Sequence, residues 1–140
     1  MITVVLADDH PLLLQGIQAV LEAEPDMHVL SEVREGLQVA DAVARLQPDI
    51  LVLDLMMPGL HGLEVMRRVS QQTPRTRVII LSMHTNEAYV LEALRYGASG
   101  YVLKEATASE LVHAVREVAA GRRYLSPSLS ERAIETYVQR

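Results

Sequence analysis

Apolar and polar positions alternate along the chain in a repeating unit: a short apolar run rich in β-branched residues, a polar break, then apolar residues spaced three and four apart. Five runs read as strands, Ile2–Ala7, Met27–Val33, Ile50–Asp54, Arg77–Ser82 and Ser99–Leu103. The third carries Ile50, Leu51, Val52 and Leu53 without alternation, starts after Pro48-Asp49 and stops at Pro58-Gly59. That pattern predicts a strand buried on both faces of a parallel sheet.

The intervening segments have helical spacing. Leu13, Ile17, Val20 and Leu21 follow Pro11, which suits a first helical turn, and Val39, Ala40, Val43 and Leu46 recur between Gly36 and Gln47. Leu63, Met66 and Val69 follow a loop at Gly59–Gly62, and Val90, Leu91 and Leu94 lie within Asn86–Tyr96, with Gly97 as a C-terminal cap. Thr107 and Glu110 have capping-box spacing ahead of Leu111, Val115 and Val118, and Gly121 ends that run.

Five strand–helix alternations predict an α/β fold, a doubly wound five-stranded parallel sheet with helices on both faces and right-handed crossovers. Beyond Pro127, the positions of Leu129, Ile134 and Val138 predict an extra C-terminal helix over Ser128–Gln139. The expected organisation is one domain over 1–121, followed by a linker and helix over 122–140.

Composition narrows the class. The 140 residues suit one domain, and 49% hydrophobic with 22% charged residues argues against disorder and against a membrane span. There is no cysteine, hence no disulfide framework, and Ile2–Ala7 is too short for a signal-peptide core, so the expected compartment is the cytoplasm. A net charge of -5, five Tyr and no Phe or Trp predict no DNA contact by this chain itself.

The candidate chemistry sits at the strand ends. Asp8 and Asp9 close the first strand, Asp54 the third and Ser82 the fourth, and Lys104 follows the fifth. A parallel sheet puts all five groups on one edge, where ligands of such folds bind. Three carboxylates make a hard, oxygen-donating site suited to Mg²⁺ or Mn²⁺. Lys104 is the only lysine among 13 basic residues, a compact ammonium able to reach a phosphoryl oxygen, and Ser82 adds a hydroxyl. A carboxylate beside a metal and a cation is equipped to attack phosphorus. His10 and His84 also lie near this edge, and because hard carboxylates dominate they are read as structural or solvent-facing imidazoles.

Val-Leu-Ala-Asp-Asp-His, Asp-Leu-Met-Met-Pro-Gly-Leu-His-Gly, Ile-Ile-Leu-Ser and Gly-Tyr-Val-Leu-Lys together resemble the receiver domain of bacterial two-component response regulators, over roughly Ile2 to Gly121. Lys104-Glu105 and Tyr124-Leu125-Ser126-Pro127 resemble the NarL/FixJ (LuxR-type) subfamily. The resemblance implies a (βα)5 flavodoxin-like fold and phosphorylation of Asp54 by a sensor histidine kinase. It implies Mg²⁺ held by Asp9 and Asp54 directly, by Asp8 through water and by the Met56 carbonyl. Lys104 and Ser82 would hold the phosphoryl group, and Tyr101 would be an aromatic switch moving inward with Ser82. The surface around the fourth helix and fifth strand would then change its partner preference and control a transcriptional output.

In receivers, the positions two past the phosphorylated Asp and two past the Ser or Thr flank the path of the attacking water. Here they are Met56 and His84. An apolar Met56 cannot orient water, which predicts slow self-dephosphorylation. NarL/FixJ regulators carry a helix-turn-helix output domain beyond this point, and the chain ends before one fits, so DNA would be reached only through such a domain. A homodimer through the first and fifth helices, or through the face around the fourth, is a further expectation, and no membrane partner is expected.

Two other readings compete. A Mg²⁺-dependent phosphohydrolase with an aspartyl nucleophile needs a general acid two residues on, and Met56 occupies that position. A phosphate-independent interaction module is disfavoured by the intact acidic set.

Overall fold

Strand formation and helix packing follow the apolar pattern closely. The computed structural model describes residues 1–55, 57, 62–83, 87–127 and 129. In chain order it places β1 (Ile2–Ala7), α1 (Pro11–Glu22), β2 (Met27–Val33), α2 (Gly36–Leu46), β3 (Ile50–Asp54), α3 (Gly62–Gln72), β4 (Arg77–Ser82), α4 (Glu87–Arg95), β5 (Gly100–Leu103), α5 (Ala108–Ala119) and β6 (Tyr124–Leu125). The strands form a single sheet in the order β2-β1-β3-β4-β5-β6, with every pairing parallel.

The expected doubly wound parallel sheet is present, with one strand more than the five expected. Tyr124 and Leu125 pair with Gly100 and Tyr101 and extend the sheet past β5. Two residues are too few to register as a strand in the sequence, because a pattern of period two needs a longer run to show. The C-terminal helix expected over 128–139 lies outside the described residues, apart from a buried Leu129.

Two cores lie on the two faces of the sheet. One joins Leu51, Leu53 and Ile80 to residues of α2, α3 and α4, including Val43, Val65, Met66, Val90 and Leu94. The other joins Val4, Leu6, Ile50, Val52 and Ile79 to α1 and α5, including Leu14, Ile17, Leu21, Leu111 and Val115. Ile50, Leu51 and Leu53 are completely buried, as expected for a central strand with helices on both sides. Burying each such side chain contributes roughly 1.5–3 kcal/mol, enough to carry a polar residue at the strand's end. In α1, Leu14 is sealed at 1% exposure while Leu13 is only partly buried. Ile17 and Leu21 face inward as expected, and Leu14 takes the buried place expected of Leu13, within a Leu12-Leu13-Leu14 run whose apolar pattern does not discriminate.

Helix ends obey local rules. Pro11 occupies the first turn of α1, Gly97 takes φ +102 after α4, and Gly121 takes φ +93 after α5. At α5 the Thr107 hydroxyl accepts from the Glu110 N–H at 3.2 Å, giving one half of the expected capping box. The Glu110 carboxylate turns away from the helix end to Ser126, whose hydroxyl donates to it at 2.7 Å.

Candidate functional site

The sheet register brings the predicted residues to one edge. Ala7 pairs with Leu53, so Asp8 follows β1 beside Asp54, which itself pairs with Leu81. Ser82 pairs with Leu103, and Lys104 follows. Two hydrogen bonds carry the ladder past the strand ends: the Asp8 N–H donates to Val33 O at 3.0 Å, and the Lys104 N–H donates to Ser82 O at 2.8 Å. Both backbones are thereby held where their side chains meet. The edge lies at the carboxyl ends of β1 and β3, where the strand order reverses between β2-β1 and β3-β4-β5, the position of ligand sites in such sheets.

Asp8 and Asp54 are each 2% exposed. Lys104 Nζ lies 3.0 Å from Asp54 Oδ2 and 3.3 Å from Asp8 Oδ2, so one ammonium faces two buried carboxylates. One positive charge leaves three carboxylates, those of Asp8, Asp9 and Asp54, under-compensated. Asp8 Oδ2 and Asp9 Oδ1 are buried and accept no hydrogen bond. Donor atoms of Asp8, Asp9, His10 and Asp54 lie within 4.8 Å of one another. Buried carboxylate oxygens without donors, grouped at that spacing, fit a divalent cation by the chemistry of the donor set.

His10 joins this cluster as a structural side chain. Its ring is more than half exposed, yet Nδ1 sits 2.6 Å from Asp8 Oδ1 and 3.3 Å from Asp9 Oδ1. The His10 N–H also donates to Asp8 Oδ1 at 2.9 Å, an Asx turn that leads into α1. Its position directly after Asp8-Asp9 and before Pro11 was the available signal: a tight turn there folds the imidazole back over the carboxylates.

Ser82 and Tyr101 meet beneath this edge. Both are buried, at 1% and 0% exposure, and their side chains are hydrogen-bonded to each other. Burial pushes the Tyr101 phenol above its ordinary pKa, against the opposing effect of the Ser82 hydrogen bond. Met56 and His84, predicted to flank the path of an attacking water, lie outside the described residues.

Gly62 sets how closely α3 approaches the end of β3. A Cβ there would fall 2.6 Å from Leu55 Cα and 2.8 Å from Leu55 O, so only glycine permits this packing. The apolar spacing places Gly62 in a loop, and the structure makes it the first residue of α3.

Comparison with known proteins defines the class. Residues 4–116 match the response regulator receiver domain family. The chain is 37% identical over 136 residues to the transcriptional regulatory protein DegU of Brevibacillus brevis, covering 97% of this chain and 58% of that protein. It is 36% identical over 128 residues to the nitrate/nitrite response regulator protein NarL of Escherichia coli strain K12, covering 91% of this chain and 59% of that protein. The crystal structure of a LuxR-family two-component response regulator from Aurantimonas sp. SI85-9A1 superposes with a TM-score of 0.89 at 35% identity, over 97% of each chain.

The chain therefore belongs to the response regulator receiver domain family and is of the NarL/LuxR type. It spans about three fifths of the length of the curated relatives it matches. No described helix is long and apolar enough to cross a membrane.

Proposed function

We propose that this receiver takes a phosphoryl group onto Asp54 from a sensor histidine kinase and uses it to control a transcriptional output. One observation carries the reading: a buried Asp54 carboxylate 3.0 Å from Lys104, beside buried oxygens of Asp8 and Asp9 that accept no hydrogen bond. Asp8, Asp9 and Asp54 would hold Mg²⁺, or Mn²⁺, together with the Met56 carbonyl, and the bound cation would supply charge neutralisation for the incoming phosphoryl group. An Asp54 oxygen attacks phosphorus; its new P–O bond forms as the donor's P–N bond breaks, and the donor imidazole keeps the bonding electrons. Lys104 pairs with a phosphoryl oxygen, and the Ser82 hydroxyl donates to another.

That demand on Ser82 competes with its bond to Tyr101, so phosphorylation repositions the pair and alters the surface around α4 and β5. The functional unit is the receiver over 1–121, with 122–140 leading toward an output module. An apolar groove of about 240 Å³ between α1 and α5 opens beside Lys104, with Leu12 83% exposed at its rim, and suits a helical partner. Either the kinase or a second copy of the chain fits that description. Self-dephosphorylation is slow because Met56 offers no group to orient water, and Met56→Asn speeds it.

The test is intact mass after incubation with acetyl phosphate, with and without Mg²⁺, on the wild type and Asp54→Ala. A Mg²⁺-dependent gain of one phosphoryl group, absent in the variant, supports the reading. No gain under any condition sinks it.

A further inference from the structure

The two peptides that flank Leu103 are held on opposite sides, that of Lys104 N–H by β4 and that of Leu103 N–H by the segment after α5. On the β4 side the Lys104 N–H donates to Ser82 O at 2.8 Å. On the other side the partner is the segment after α5. The Tyr124 N–H donates to Ser99 O and the Ser126 N–H to Tyr101 O, each at 3.0 Å. One step further the ladder has no backbone acceptor, and the Ser126 side chain takes over: the Leu103 N–H donates to Ser126 Oγ at 3.1 Å. Ser126 is 2% exposed and Leu103 6%. The same hydroxyl donates to Glu110 Oε2 at 2.7 Å, which fixes its rotor and leaves its lone pairs facing Leu103.

A two-residue edge strand is weak by itself, and edge pairings of this length fray. Here three hydrogen bonds on one residue, Ser126, close it: backbone to Tyr101, hydroxyl from Leu103 and hydroxyl to Glu110. Leu125 and Leu129 lie buried on either side of it in the same core as Tyr101 and Leu103. Nothing in the strand pairing of β5 with β4 requires this device. Its effect falls on the residue that delivers the ammonium to Asp54 and Asp8.

We propose that Ser126, held by Glu110, is a positioning residue for Lys104, so that the segment leaving the receiver forms part of the phosphoacceptor site. The inference rests on the phosphoacceptor reading of Asp54. Losing the hydroxyl leaves a buried Leu103 N–H without an acceptor and frees the 102–103 peptide, one residue before Lys104. The Asp8 and Asp9 carboxylates follow β1, that of Asp54 ends β3, and all three are untouched. Positioning therefore predicts a split: the maximal rate of phosphorylation falls while the Mg²⁺ dependence stays in place. General loosening moves both.

The experiment measures the rate of phosphoryl gain from acetyl phosphate by intact mass, across a Mg²⁺ titration, for the wild type, Ser126→Ala and Glu110→Ala. Ser126→Ala should lower the maximal rate by about fivefold or more, well inside the ~100-fold that a 1 Å misplacement can cost, with an unchanged Mg²⁺ midpoint. Glu110→Ala, which keeps the Ser126 hydroxyl but removes its acceptor, should show the same split to a smaller degree and serves if Ser126→Ala does not fold. Coupling is reciprocal, so full phosphorylation of the wild type should change amide-exchange protection at Leu103 and Ser126. Unchanged rates, rate and Mg²⁺ midpoint moving together, or identical protection in phosphorylated and unmodified protein each overturn the proposal. A wild type that gains no mass overturns the phosphoacceptor reading itself, which the wild-type control separates from failure at Ser126.

Discussion

Lys104 Nζ stands 3.0 Å from an Asp54 oxygen, with the two side chains 10% and 2% exposed. The pair is therefore desolvated on both sides, and its charge and its shape make separable contributions. Removing the ammonium leaves buried carboxylates without their cation, a change that costs roughly 3 kcal/mol or more. Lys104→Ala should lose both stability in urea and phosphorylation by acetyl phosphate. Lys104→Arg keeps the charge but replaces a point donor with a broad planar fork. It should melt close to the wild type and still be phosphorylated about tenfold more slowly or worse, a barrier increase of ~1.4 kcal/mol. Equal losses in both variants would mean that charge alone matters.

The acidic cluster is strained by its own charge. The carboxylates lie within 4.8 Å of one another, so at an effective dielectric of 20 each pair repels by roughly 3.5 kcal/mol or more, and Lys104 attracts Asp54 at 3.0 Å by roughly 5.5 kcal/mol. Asp54 faces two such repulsions, from Asp8 and Asp9, set against the attraction of Lys104. Asp54→Asn should therefore stabilise the protein by about 1 kcal/mol without added metal, seen as a higher urea midpoint. Mg²⁺ should stabilise the wild type by ~1.4 kcal/mol at ten times its dissociation constant and the variant by less. A variant less stable than the wild type in EDTA contradicts this balance.

Most of this site was legible because strand ends in a parallel sheet are addressable from sequence. Once Ile50–Leu53 is a central strand, Asp54 has one place to go, and Asp8, Ser82 and Lys104 follow from the register. What was not legible depends on contacts at long range or on single residues. The choice of Leu14 over Leu13 as the buried residue of α1 is decided by packing against β1 and α5, not by a run of three leucines. The return of His10 over Asp8 depends on an Asx turn, and the capture of Glu110 by Ser126 depends on a two-residue strand with no pattern of its own. The capping-box spacing of Thr107 and Glu110 predicted a local bond, and a tertiary partner took half of it.

Gly62 tests the packing beneath the site. With Leu55 backbone atoms 2.6 and 2.8 Å from where a Cβ would stand, Gly62→Ala forces α3 away from the chain that follows Asp54. Backbone cannot yield as a flexible side chain does, so the expected cost is about 1–3 kcal/mol in urea unfolding, although alanine favours helix. Gly16→Ala is the matched control. A Cβ at Gly16 meets nothing within 4 Å, and the substitution in α1 should stabilise by up to about 1 kcal/mol. If both variants behave alike, the close approach at Leu55 is not what fixes α3.

Tyr124 gives the β6 segment a pH signature. Burial, then the Glu110 carboxylate, pushes its phenol up to about 12, from the ordinary 10.0 of a free tyrosine. A pKa raised in the folded state means that the folded protein holds the proton more tightly than the unfolded chain. Its contribution to stability is therefore complete below pH 10.0 and is lost as pH rises from there to about 12. Phenolate absorbance, taken as the difference between the wild type and Tyr124→Phe, should show a midpoint near 12 rather than the ordinary tyrosine value. Over the same window the wild type should lose stability faster than Tyr124→Phe. Glu110→Gln removes the facing charge but keeps an acceptor for Ser126, so it should lower the midpoint while leaving β6 docked. A normal Tyr124 midpoint in the wild type would show that β6 does not hold against β5 in solution.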